Sequence, residues 1–304
     1  SLFEILALGV MLACILFLIR RNITEVKRFR KVEMKGWPAL DGNLILIIEI
    51  ILMVAILSMN ASDLVLQSRG VAGYTPTGPF LISSLISPAF ESLSDQSLVI
   101  LERGAWWFHI IGILAFAVYV TYSKHLHIFM AFPNTYYSRL DVPGKMNNME
   151  AITNEVKIML GMPNTDQATP PSEGMKFGAK DINDLTWKNL MDAYACTECG
   201  RCTTQCPANQ TGKKLSPRKI MMDTRDRMEE VGNSLQSGGK GLDDGKSLLK
   251  DYISKEEINA CTSCNACVEA CPVNISPLEI ILELRRYVAM EESGSPQSWN
   301  AMFS

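Results

Sequence analysis

Cys196 to Pro207 reads CTECGRCTTQCP and Cys261 to Pro272 reads CTSCNACVEACP, one pattern stated twice at an offset of 65 residues. In each copy three cysteines follow at two-residue intervals, and a fourth stands after three further residues, directly before a proline. Thiolates so spaced suit a [4Fe–4S] cube: the first three wrap one cube, and the fourth, carried off on the following turn, ligates the cube of the other repeat. The spacing therefore predicts two cross-ligated centres, one on Cys196, Cys199, Cys202 and Cys271 and the other on Cys261, Cys264, Cys267 and Cys206. Zinc is the alternative for four cysteines, but structural zinc usually joins two separated C-x2-C knuckles. Three cysteines in step followed by Cys-Pro do not have that form.

Outward from the motifs the pattern is helical. Leu185, Leu190, Met191 and Tyr194 lead into the first cluster, and Ser216-Pro217 and Ser276-Pro277 each read as the cap and first residue of a helix, ending near Gly232 and Ser293. Residues 207–260 separate the motifs by more than a compact bacterial ferredoxin needs, and read as helix rather than β-hairpin. Lys213, Lys214, Arg218, Lys219, Arg225 and Arg227 in this insert form either a solvated helix face, the preferred reading, or a basic dock for an acidic redox partner. Residues 181–304 are thus expected to be a helical, two-cluster ferredoxin-like domain. A linker, 133–180, precedes it; Asn154 to Leu160 reads as a short helix, and Gly161 to Gly178 (GMPNTDQATPPSEGMKFG) is rich in turn formers.

Residues 1–132 belong to a different solvent. Three apolar runs predict membrane spans at about 2–20, 43–66 and 105–123, each near the ~20 residues that cross a hydrocarbon core. Trp106, Trp107, Tyr119 and Tyr122 stand at the ends of the third, where amphipathic rings favour the headgroup layer. The connector after the first span carries Arg20, Arg21, Lys27, Arg28, Arg30, Lys31 and Lys35, whereas residues 60–104 carry only Arg69 and Arg103. The positive-inside rule places the first connector, and with it everything after the third span, in the cytoplasm of a cell whose inner membrane the chain crosses several times. Eight of nine cysteines in two tight clusters agree with that reducing compartment. The net charge of −3 argues against nucleic acid as a partner. The chain opens at Ser1 inside an apolar run, with no initiator Met and no cleavage site, which points to sequence upstream. The apolar segment Gly78 to Phe90 (GPFLISSLISPAF) is too short to span; it is either a packed loop, the preferred reading, or an interfacial half-helix over a quinone pocket.

Three further features invite chemistry. His109, His125 and His127 are the chain's only histidines. On one continuous helix His109 and His127 would share a face five turns, about 27 Å, apart, as axial ligands to two b haems would; partner ligands would then come from other sequence, the alternative being histidines bonded to lipid or quinone. Glu49 interrupts the second span, either as a proton carrier for quinone reduction or as a paired or protonated carboxyl near the inner surface. Cys14, alone in the first span, reads as a small buried hydrophobe.

The stretches NLMDAYACTECGRCTTQCPANQTGKKLSPRKIMMDTRDRMEEVG (Asn189–Gly232) and ACTSCNACVEACPVNISPLEIILELRRYVAMEE (Ala260–Glu292) resemble the iron–sulfur oxidoreductases related to heterodisulfide reductase. ERGAWWFHIIGILAFAVYVTYSKHLHIFMAFPNTYYSRL (Glu102–Leu140) is similar to the membrane front of those relatives, itself like the cytochrome b subunit of respiratory nitrate reductase. The resemblance implies an all-α chain, a transmembrane bundle followed by an α-helical ferredoxin domain. It also implies that electrons pass between a soluble donor, such as electron-transfer flavoprotein or a subunit with Cys-Cys-Gly repeats, and a quinone pool such as menaquinone, with haem b on His109 and His127. No Cys-Cys pair occurs in this chain. The alternative is a non-catalytic conducting or scaffold subunit of a larger membrane complex.

Overall fold

The computed structural model describes residues 2–24, 26–142, 144–162 and 176–293; most of the turn-rich Gly161–Gly178 stretch lies outside them. The chain divides at Leu126/His127 into two compact units. Regular structure among the described residues is helical, with one isolated β-bridge pair, Leu249 and Ile253.

The first unit holds α1 (Leu2–Asn22), α2 (Trp37–Ser68), the single turn α3 (Ser83–Ile86) and α4 (Asp95–Val120). α1, α2 and α4 are long and apolar enough to cross a membrane. α2 packs against both α1 and α4. Polarity is inverted relative to a soluble bundle: Leu16, Phe17, Ile51, Ile111, Leu114 and Val118 point outward, while Glu4, Asp41, Ser62 and Ser83 are buried. A hydrocarbon solvent rewards that arrangement. Gly112 of α4 lets the helices close up, since a Cβ there would lie 2.6 Å from Leu52 Cδ2 of α2.

Each buried acid in this unit ties elements together. Glu4 accepts from the backbone N–H groups of Ile82 and Ser83, both at 3.2 Å, and from the Ser83 hydroxyl. The Gly78–Phe90 segment is thereby held as two short turns, α3 and the 3₁₀ turn Ser87–Phe90, packed on α2. Asp41 accepts from Tyr119 Oη, from Ser123 Oγ at 2.7 Å and from Lys124 N at 3.2 Å.

The expected third span begins ten residues early, because Ser94 caps α4 by accepting from Ser97 N at 3.3 Å. Its end corrects the expectation that His109 and His127 share one helix. α4 stops at Val120, and a 3₁₀ turn, Lys124–Leu126, follows. Asp41 and Ser123 Oγ there take the N–H groups of Lys124 and His125, the latter at 3.1 Å, that a continuous helix would give to carbonyls.

The second unit holds α5 (His127–Tyr136), α6 (Glu150–Met159), α7 (Trp187–Ala195), α8 (Arg201–Gln205), α9 (Pro207–Gln210), α10 (Pro217–Gln236), α11 (Lys255–Asn259), α12 (Ala266–Glu269) and α13 (Pro277–Met290). Its core gathers Ile220, Met221, Leu248, Ile258, Ile281 and Leu284. The fully buried Arg227 of α10 reaches Asp181 from Nε and Nη2 at 3.1 and 2.8 Å, Asp244 from Nη1 at 2.6 Å and Lys246 O from Nη2 at 3.0 Å. A buried charge survives when its donors are satisfied in this way. Asp181 also accepts from Leu248 N at 3.1 Å, so one arginine clasps the chain entering the unit to the loop behind α10. That helix runs a turn past Gly232, where a Cβ would meet open space, and stops at Gly238, whose φ of 72° is left-handed.

Candidate metal centres

The two cysteine motifs fold alike. In each, the residue before the second cysteine, Glu198 or Ser263, has φ 55°, and the residue after it, Gly200 or Asn265, is also left-handed. These turns curl the loop round so that successive cysteines face one space and a short helix, α8 or α12, carries the third. Cys206 ends α8 and Cys271 follows the Ala270 end of α12, Pro207 or Pro272 comes next, and a helix begun at a Ser-Pro pair, α10 or α13, leads away.

Cys196, Cys199, Cys202 and Cys271 line one space, walled by Met221, Val273 and Ile275. Cys206, Cys261, Cys264 and Cys267 line a second, walled by Leu215, Leu278 and Ile281. Each group takes three cysteines from one repeat and the fourth from the other. Cys267 lines both cavities, so the two spaces are neighbours. Among the described residues no three His, Cys, Asp or Glu converge tightly enough to hold a single metal ion. The donor set, three thiols of one repeat and one of the other at each space, fits iron–sulfur cubes.

Burial governs the thiols. It pushes Cys202 and Cys267 up to about 12, helped by neighbouring cysteines, and raises Cys196, Cys261 and Cys271 as well. Cys264 is exposed, and the Ala266 N–H and Thr262 hydroxyl hold it below the ordinary thiol range. Metal loading must therefore displace protons from most of these sulfurs.

Positive charge sits beside both spaces. Arg225 of α10 bonds Glu198 Oε1 at 2.6 Å, and its charge bears on Cys196. Arg285 of α13 donates to Ile258 O at 2.8 Å, Asn259 O at 3.1 Å, Cys261 O and Ser263 Oγ at 3.4 Å, and its charge bears on Cys261. Arg218, fully buried, lines the first cavity and reaches Glu198 O at 3.4 Å. The sequence reading placed Arg218 and Arg225 on a solvated helix face and did not single out Arg285. The signal was present, since Arg225 and Arg285 each follow their Ser-Pro cap at the same distance. It also missed Asn134 of α5, which is fully buried, donates to Val273 O at 2.9 Å just beyond Cys271, and accepts from Lys188 Nζ at 2.9 Å. Lys188 in turn pairs with the buried Asp192 at 2.6 Å.

The membrane candidates are dispersed. His109 places Nδ1 3.0 Å from Leu52 O. His125 lies against Phe116, ring centroids 5.6 Å apart, and His127 opens α5 in the second unit. Glu49 is half-buried on α2 and lies near the buried Cys14 of α1.

The family described as 4Fe-4S dicluster domain matches residues 195–275. The chain is 30% identical over 302 residues to the protein named "Probable iron-sulfur-binding oxidoreductase FadF" of Bacillus subtilis, covering 90% of this chain and 39% of that one. It is 30% identical over 226 residues to the EtfAB:quinone oxidoreductase of Syntrophomonas wolfei, covering 68% and 29%. It is 33% identical over 102 residues to one of the subunits of the ferredoxin/F(420)H(2)-dependent CoB-CoM heterodisulfide reductase of Methanosarcina acetivorans, covering 33% and 49%. The chain thus spans less than half the length of each of these relatives, which are iron–sulfur oxidoreductases or parts of them. No solved structure matches it.

Proposed function

We propose that this chain is the membrane-anchored electron-conducting part of an oxidoreductase, carrying electrons between a soluble donor and the quinone pool. The observation that carries the reading is the interleaving of the two repeats, three cysteines and one at each of two neighbouring cavities in apolar walls. A cube bound at each would supply a one-electron couple whose potential depends on charge, hydrogen bonding and burial. The chain's own part is to hold the thiolates, exclude water with Met221, Ile275, Leu278 and Ile281, and set the local charge through Arg218, Arg225 and Arg285. The eight cysteines are assigned as ligands, Cys196, Cys199, Cys202 and Cys271 to one centre and Cys261, Cys264, Cys267 and Cys206 to the other.

Similarity to an EtfAB:quinone oxidoreductase supports an electron-transferring flavoprotein as donor and a quinone as acceptor. The basic first connector supports a cytoplasmic iron–sulfur unit. Of the histidines, His109 would hold a haem iron: donation from Nδ1 to Leu52 O fixes the tautomer that leaves Nε2 for a metal. Glu49, half-buried on α2, is the carboxyl assigned to serve a quinone in this reading.

An EPR and optical redox titration of the full chain in its membrane complex tests the reading. Two [4Fe–4S] signals that respond to a menaquinol analogue are expected. Clusters that do not titrate, or that ignore quinol, would reduce the chain to a scaffold.

A further inference from the structure

We propose that α5 is a membrane-surface helix, its Phe129, Phe132 and Tyr136 set into the headgroup and upper acyl layer of the bilayer. The inference rests on the membrane-spanning part of the reading above and is independent of electron transfer. Phe129, Phe132 and Tyr136 recur at helical spacing on one face and are 62%, 78% and 81% exposed. No Asp, Glu, Lys or Arg occurs anywhere in α5. The opposite face is committed to the second unit: Met130 packs on its core and Asn134 is buried in hydrogen bonds. Three large rings left on one face of so short a helix are costly in water and mark a surface that something apolar covers.

Chain continuity names the cover. α4, a spanning helix, ends at Val120, and α5 begins at His127. At full stretch the chain between them reaches about 25 Å, and the 3₁₀ turn at Lys124–Leu126 shortens that reach. The start of α5 therefore stays close to the bilayer surface from which α4 emerges. Tyr122 and Tyr137 add amphipathic rings on either side of it, and such rings concentrate at that depth. A lipid boundary accepts a helix with aromatic side chains on one face and bonded polar groups on the other.

The test uses the full chain reconstituted in phosphatidylethanolamine/phosphatidylglycerol vesicles with a trace of phospholipid carrying a diazirine near the glycerol end of its acyl chain. After photolysis, peptides are mapped by mass spectrometry. The α5 peptide should carry several-fold more label than those of α10 and α13, and the double variant F129S/F132S should lose that excess while α4 keeps its label. Label on α1, α2 and α4 with α5 at the level of α10 would overturn the proposal and show that protein, a partner or a second copy, covers this face. Failure of the spanning helices themselves to label would instead undo the membrane reading. Neither readout depends on whether the centres conduct.

Discussion

Arg225 and Arg285 occupy one position of a duplicated fold: each stands nine residues beyond the serine before its helix, and each turns its guanidinium onto the loop between the first two cysteines of its own repeat. Their partners differ. Arg225 is matched by the Glu198 carboxylate at 2.6 Å, whereas Arg285, which forms no ion pair with a carboxylate among the described residues, meets the neutral Ser263 and backbone carbonyls.

A positive charge stabilises a centre more when it has gained an electron, so the pairing predicts opposite shifts. Arg285→Gln should lower the potential of the Cys261 centre. Glu198→Gln, which leaves Arg225 unbalanced, should raise that of the Cys196 centre. A unit charge several Å away at an effective dielectric near 20 gives shifts on the order of 50–100 mV. EPR-monitored titration reads both, and shifts of the same sign in the two variants would refute the charge argument.

Interleaving of the repeats makes its own prediction. Cys271→Ser should abolish the same EPR signal as Cys199→Ser, and Cys206→Ser the same signal as Cys264→Ser, although each pair joins residues of different motifs. Were each motif to bind its own cube, Cys271→Ser would instead match Cys264→Ser.

What could be read in advance followed the range of the interactions involved. The duplicated cysteine motif and the starts of α10 and α13 at Ser-Pro pairs were legible because spacing and the backbone preference of proline are local. The end of α4 was not, because the bonds that break the helix come from Asp41, some eighty residues away in sequence, and no periodicity in Trp106–His127 announces them. The end of α10 was misplaced for the converse reason: Gly232 looks like a stop, yet it faces open space and its neighbours hold the helix, so the left-handed Gly238 ends it. The arginines beside the cavities were visible in the sequence, but only an alignment of the two repeats on their Ser-Pro caps, rather than on their cysteines, brings Arg225 onto Arg285.

Gly178 is a point where backbone geometry admits no side chain. Its φ is +74°, and a Cβ would lie 2.4 Å from both Glu283 O and Tyr287 N, backbone atoms of α13 that cannot swing aside. Ala179 N donates to that same Glu283 O at 3.0 Å, so the close approach is part of how the chain docks on the helix. Gly178→Ala should cost about 3 kcal/mol or more. Gly212→Ala, at φ +84° in open space, should cost only about 1 kcal/mol. Thermal melts of the two variants, compared in the same detergent, should separate clearly.

Asp223 should give the second unit a pH-dependent stability. It shares Lys219 with Glu257, the ammonium lying 2.6 Å from Asp223 and 3.1 Å from Glu257. Burial raises both acids, but at Glu257 it is outweighed by the backbone N–H and hydroxyl of Ser254 and by Lys219, which hold the carboxyl below its ordinary range. Asp223 lacks those donors, and burial pushes it up to about 7 against the pull of Lys219. Its unfolded value is near 3.8, so folding takes up a proton between the two pH values. The stabilisation is complete below 3.8 and is lost as pH rises through about 7. Melting temperature should therefore fall between pH 5 and 8 in the native chain, and Asp223→Asn, which never ionises, should flatten that part of the curve. If the asparagine variant keeps the full slope, another group titrates there and Asp223 shares Lys219 as a carboxylate.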